Sequence, residues 1–130
     1  MMVVDASAVV EVLLQTETGL RLEERLFAPG ETLHVPHLLD IEVAHALRRA
    51  WLQGVIDAVR AAEALEDLIV WPLIRYPHDL FLARIWELRH NVTAYDAAYV
   101  ALAEALAVTL LMCDARLAAS SGHEAVIEVA

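Results

Sequence analysis

Along the chain, short apolar runs alternate with stretches in which apolar residues recur every three or four positions. Met2 to Val4 is a β-prone run ending at Asp5; from Ser7 the positions Val9, Val10, Leu13 and Leu14 follow helical spacing. Thr18 to Leu26 predicts a second, more charged helix, stopped by Ala28-Pro29-Gly30. Leu33 to Val35 is a strand candidate broken by Pro36. Leu39, Val43, Leu47, Ala50 and Trp51 mark a helix over His37–Trp51 that Gly54 ends, and another helix follows over about Asp57–Leu68. Ile69 to Ile74, interrupted by Pro72, suits an edge strand. Pro77 to His90 reads as helical, with Asp79 in its first turn. After it come an alanine-rich helix over Thr93–Ala107, a strand over Thr109–Met112, a short helix over Arg116–Ser120 and a last strand over Val126–Val129.

Short apolar strands alternating with helices imply βαβ units and a parallel sheet covered on both faces. The alanines at 97, 98, 101, 103, 105 and 107 agree with this, because a helix apolar on nearly every side must be enclosed. The expected fold is α/β, a three-layer α/β/α domain with a central parallel sheet of four or five strands. A chain of 130 residues is one domain, 1–130, and at this size it buries roughly two-thirds of its unfolded surface without a staple.

Composition narrows the class. With 59% apolar residues and a mean hydropathy of +0.52, disorder is excluded. Ala97 to Cys113 is the only run resembling a membrane span, with Glu104 and Thr109 its clearly polar residues. It is shorter than the ~20 residues a span needs, and a mid-span carboxylate costs a further ~3 kcal/mol. Met1 to Val4 has no basic flank of the kind a secretory leader carries, so no membrane association is expected and the cytoplasm is the expected compartment. The lone Cys113 excludes a disulfide framework. Nineteen acids against nine bases, all arginine, give a formal charge of −10, which argues against a broad basic face for polyanions but not against local handling of a nucleic acid.

Most acids sit in polar helical stretches such as Glu23-Glu24 and Glu63 to Asp67, where solvation explains them. Four do not. Asp5 ends one apolar strand and Asp114 follows another, at the strand ends that border the ligand crevice of an open parallel sheet. Asp96 begins the alanine-rich helix, where Thr93-Ala94-Tyr95-Asp96 also matches a capping box. Glu42 borders the apolar stripe of its helix, with Leu39 and Ala46 beside it; a surface pair with Arg49 or His45 is the alternative.

Taken in series, Val3-Val4-Asp5-Ala6-Ser7-Ala8, Val35-Pro36-His37 to Glu42 with Ala46-Leu47-Arg48-Arg49, Tyr95-Asp96-Ala97-Ala98-Tyr99-Val100-Ala101-Leu102-Ala103 and Asp114-Ala115-Arg116-Leu117 resemble a PIN-domain ribonuclease. The nearest likeness is to VapC-type toxins of type II toxin–antitoxin pairs. The resemblance implies an acidic quartet, Asp5, Glu42, Asp96 and Asp114, around a divalent metal ion. Ser7 matches the small hydroxyl residue after the first acid, and Thr93 the one three before the third. The family often has Thr or Ser two residues before its last acid; here Met112 stands there, which puts a supporting hydrogen bond in doubt.

All-oxygen ligands favour Mg²⁺ or Mn²⁺ over Zn²⁺. The expected activity is metal-dependent hydrolysis of RNA by an activated water, with Asp5, Asp96 and Asp114 as ligands and Glu42 as a ligand or water-orienting group. Arg49 and Arg116 are candidates for phosphate contact, against ordinary ion pairing with nearby acids. Expected partners are the RNA substrate, a VapB-like antitoxin and a second copy in a homodimer. A housekeeping RNA-processing nuclease and a PIN-like binding module without turnover remain as alternatives. A receiver domain is excluded by the absence of lysine, a haloacid-dehalogenase-type phosphatase by the missing second aspartate after Asp5, and zinc chemistry by the missing His/Cys set.

Overall fold

The computed structural model describes every residue from Met1 to Ala130. Five strands, β1 (Met2–Val4), β2 (Leu33–Pro36), β3 (Leu73–Tyr76), β4 (Leu110–Met112) and β5 (Ile127–Val129), form one sheet in the order β3-β2-β1-β4-β5, all parallel. Seven helices join them: α1 (Ala6–Leu13), α2 (Glu17–Leu26), α3 (Leu38–Leu52), α4 (Ala58–Val70), α5 (Leu82–Glu87), α6 (Ala94–Leu106) and α7 (Ala115–Ala118). From β1 the chain winds outward to β2 and β3, then returns across the sheet to β4 and β5. Right-handed crossovers in opposite directions put the two sets of helices on opposite faces. Accordingly α1 packs on α2, α3 and α4, while α6 packs on α5 and runs over β1, β2 and β4. The expected α/β/α layering and strand count are met.

The core explains the pattern. Met2, Val3 and Val4 are all buried, as are Leu110, Leu111 and Met112, because central parallel strands are covered on both faces. Ala97 to Ala103 is buried without a break, as an enclosed helix requires, and the small side chains let α6 lie close to the sheet. His34 is the one buried polar residue; its ring bonds Thr32 Oγ1 at 2.9 Å and Tyr76 OH at 2.7 Å, and burial depresses its pKa. It is a satisfied core histidine rather than a metal ligand.

Three elements differ from expectation. Pro36 closes β2 rather than breaking it: pairing with β1 has ended by then, and only the β3 edge continues opposite Tyr76. Ile69 and Val70 do not begin a strand. They finish α4, exposed, and the chain turns extended only at Trp71, whose backbone the following Pro72 forces out of the helical region. Cooperative helix hydrogen bonding outweighs their β propensity here. The single helix expected over 77–90 is instead a 3₁₀ turn at His78–Phe81, the short α5, and a second 3₁₀ turn at Leu88–His90. Phe81 has a non-helical backbone, φ −119° and ψ 3°, that interrupts the run.

Helices α1 and α2 meet at Gly19. A Cβ there would lie 1.9 Å from the Glu11 carbonyl oxygen, a backbone atom that cannot step aside. Gly19→Ala is expected to destabilise the fold by about 2 kcal/mol, the scale of overpacking in a tight core, read from the urea midpoint.

Candidate active site

The sheet reverses its winding direction between β1 and β4, and the crevice at the carboxyl ends of those strands is where such folds place ligands. Asp5 and Asp114 are the residues immediately beyond the β1 end and just beyond the β4 end. Each also caps the helix that follows. Asp5 accepts the Ala8 N–H at 3.0 Å, and Asp114 accepts the Arg116 N–H at 3.0 Å. Ser7 ties the two strand ends together: its hydroxyl donates to Asp5 Oδ1 at 2.7 Å and accepts the Cys113 N–H at 2.9 Å. Met112, at the position where the family resemblance implies a hydroxyl residue, is buried in the core at 1% exposure. Ser7 therefore supplies the side-chain link between the β1 and β4 ends.

Glu42 reaches the crevice from α3 and Asp96 from the first turn of α6. Thr93 caps α6 by accepting the Asp96 N–H at 3.2 Å, the first half of the expected capping box. The Thr93 N–H does not donate back to the Asp96 carboxylate, so the second half of the box is not made. Glu42 pairs with neither Arg49 nor His45. Its Oε1 accepts a 2.6 Å hydrogen bond from the hydroxyl of Tyr99, a residue of α6 that is 2% exposed. Tyr99 was not singled out from sequence. It lies three positions past Asp96, on the same helical face, which is a readable signal; its partner is 57 residues away in the chain and is not.

Three of the four carboxyls are raised above the ordinary carboxylate range. Burial pushes Asp5 up to about 6, opposed by the bonds from Ser7 and Ala8 and assisted by the negative charges of Glu42 and Asp96. Burial also raises Glu42, against the Tyr99 hydrogen bond and with help from Asp96. Asp96 is raised by burial, held back by Thr93, raised again by Asp114 and lowered by Arg116. Each of these three carboxyls thus feels another of the four. Asp114 alone is lowered, because the Arg116 guanidinium hydrogen-bonds it, with a closest contact of 2.6 Å.

Half-buried carboxylates whose ionisation is opposed by one another would suit a hard divalent cation, which would relieve that repulsion. As the side chains stand, no three acidic, histidine or cysteine groups enclose a common point tightly enough to hold an ion. The reason is visible in their hydrogen bonds: Asp5 is turned to Ser7, Glu42 to Tyr99 and Asp114 to Arg116. Rotation of these side chains would be needed to close a cage.

Arginines flank the acids unequally. Arg116 is spent on Asp114, the ordinary ion pairing that stood as the alternative to phosphate contact. Arg48 and Arg49 take part in none of the ion pairs. Arg49, with Ser7, Glu42, Val10 and Ile41, lines an open groove of about 670 Å³ between α1 and α3.

A PIN domain profile matches residues 2–121, nearly the whole chain. The chain belongs to the PIN-domain family. It is 43% identical over 129 residues to Ribonuclease VapC12 of Mycobacterium tuberculosis, covering 99% of this chain and 98% of that protein. Ribonuclease VapC1 of the same organism is 49% identical over 121 residues, covering 92% of this chain and 90% of the relative. Within the PIN-domain family, the chain is a member of the VapC group. The crystal structure of PAE2754 from Pyrobaculum aerophilum agrees in fold with a TM-score of 0.71 at 25% identity, covering 98% of this chain and 83% of that one. That of Mycobacterium tuberculosis VapC20, described as a sarcin-ricin loop cleaving toxin, has a TM-score of 0.68 at 17% identity, covering 97% and 98%.

Proposed function

We propose that this protein is a divalent-metal-dependent endoribonuclease toxin that hydrolyses RNA phosphodiester bonds and is restrained by a VapB-like antitoxin. The observation carrying this reading is the gathering of Asp5, Glu42 and Asp96, all with raised pKa, at the switch point of a sheet whose chain is 43–49% identical to ribonucleases VapC1 and VapC12. Asp5, Asp96 and Asp114 would hold Mg²⁺ or Mn²⁺, with Glu42 as a further ligand or as the group that orients water. When bound, the ion supplies Lewis acidity at a phosphoryl oxygen and makes water a better nucleophile at neutral pH. The chain's own groups do the rest. Glu42, fixed by the Tyr99 hydroxyl, is the carboxylate best arranged to accept a proton from the attacking water. Ser7 and Thr93 hold Asp5 and the start of α6 in place. Arg49 is free for an RNA phosphate, and Arg116 becomes so if Asp114 turns to the ion.

A charge of −10 and a partly apolar groove that Glu11 and Glu42 help to line suit an antitoxin segment that is basic and partly apolar. Exposed Leu80, Leu82 and Trp86 leave apolar surface for the homodimer that belongs to the same reading. No helix is long and apolar enough to cross a membrane, in keeping with action on cytoplasmic RNA.

Purified protein is expected to cut RNA with Mg²⁺ or Mn²⁺ and to stop in excess chelator, while Asp96→Asn loses at least a hundredfold in rate. Equal cleavage by wild type and Asp96→Asn would point to a contaminating nuclease and sink the proposal. Growth arrest on expression, relieved by a co-expressed small neighbouring protein, separates a toxin from a housekeeping nuclease.

A further inference from the structure

The loop before α6, Asp96, and the start and end of α7 line a second, open pocket of about 310 Å³. Its walls include Asn91, Thr93, Asp96, Arg116 and Ser120. We infer that this pocket is a nucleobase-reading subsite and that the Asn91 side-chain amide sets the base preferred beside the cleaved bond, an inference that rests on the nuclease reading above.

Three observations carry it. The volume sits at the lower end for ligand pockets and suits one nucleoside, not a longer stretch. The wall contains Asp96, so a base seated there belongs to the nucleotide adjoining the acidic cluster, and Arg116, once released from Asp114, stands in the same wall for its phosphate. Most of the other polar groups are engaged: Thr93 Oγ1 accepts the Asp96 N–H, and Ser120 Oγ donates to the Leu117 carbonyl at 2.6 Å. The Asn91 amide is engaged by none of the protein's side-chain hydrogen bonds, which leaves both its donor and its acceptor for a ligand.

Asn91 is itself exposed, and one side of its amide rests on the backbone of the C-terminal segment. Gly122 lies directly against that amide: a Cβ at 122 would fall 1.8 Å from Asn91 Nδ2. The Gly122 carbonyl is in turn bonded by Arg84, whose guanidinium also bridges Glu87 and Glu104. A planar amide resting against Gly122, with its hydrogen-bonding capacity free, can read an adjacent donor–acceptor pair. Adenine, with its N6 amino group beside N7, matches that pair best. Single-stranded RNA presents such edges because its bases can be splayed out of the stack.

The test is cleavage of an RNA pool randomised around one cut site by wild type, Asn91→Ala and Asn91→Asp with Mg²⁺, read by sequencing the ends. The wild type is expected to prefer adenine at one position beside the cut. Asn91→Ala should lower that preference ratio about tenfold or more, and Asn91→Asp should move it toward cytosine, whose amino group a carboxylate accepts. The Mg²⁺-dependent rise in Tm should match wild type in both variants, since neither removes a proposed ligand. An unchanged preference profile, a uniform slowing at every sequence, or a wild type indifferent to the base beside the cut overturns the subsite while leaving the nuclease reading intact. A wild type that cuts nothing, no better than Asp5→Asn, overturns both.

Discussion

Asp5→Asn is expected to slow RNA hydrolysis about a thousandfold, roughly 4 kcal/mol of transition-state stabilisation, while making the metal-free protein more stable. The two effects share one cause. Asp5 sits among apolar strand ends and near two other carboxyls, and its folded-state pKa of about 6 stands well above the ordinary 3.8. The folded protein therefore holds a proton that the unfolded chain releases, so the stability Asp5 contributes is present below about pH 4 and is lost as pH rises through about 6. Asparagine keeps an acceptor oxygen for the Ala8 N–H and the Ser7 hydroxyl but carries no charge. In chelator at pH 8 the variant should be about 1–2 kcal/mol more stable than wild type by urea unfolding. Adding Mg²⁺ should raise the wild-type midpoint and leave that of the variant nearly still. A variant less stable than wild type in chelator would show that Asp5 serves the fold rather than the ion.

Glu42→Gln is expected to lower kcat about a hundredfold, and Tyr99→Phe about tenfold, in the range that supporting hydrogen bonds to a metal site command. The Tyr99 hydroxyl donates to the ionised form of Glu42 and so holds its pKa down against burial. Without that donor the carboxyl ionises at higher pH. The acid limb of the kcat profile should therefore move upward in Tyr99→Phe, whereas a purely structural tyrosine would change stability and leave the limb where it was. In the double variant the tenfold loss should vanish into the hundredfold one, since the tyrosine acts through the glutamate. Independent, multiplying losses would separate the two residues.

Much of this was legible along the chain. Alternation of buried strands with amphipathic helices foretold the layers, and the unbroken apolar face of Ala97 to Ala103 foretold an enclosed helix, because both follow from local periodicity. The errors fell where local preference met cooperative structure. Ile69 and Val70 are β-prone yet stay helical, since leaving the helix early would forfeit hydrogen bonds that only Pro72 interrupts. Around Phe81 the expected helix divides into three pieces, and nothing in its spacing marks the break.

The candidate site divides along the same line. Asp5 and Asp114 could be picked out from sequence because a carboxylate at a strand end amid valines and leucines needs a reason to be there, whereas Glu42 and Asp96 had ordinary alternatives and joined them through the family resemblance. The bond from Tyr99 to Glu42, the Ser7 link to Cys113 and the packing of Gly122 on Asn91 could not. The alternation of buried strands with helices, and the acids at strand ends, were decided by the order of side chains, since periodicity and solvation act over a few neighbours. Which of them meet was decided by the winding of the sheet, since contacts between residues dozens of positions apart exist only once the crossovers have folded.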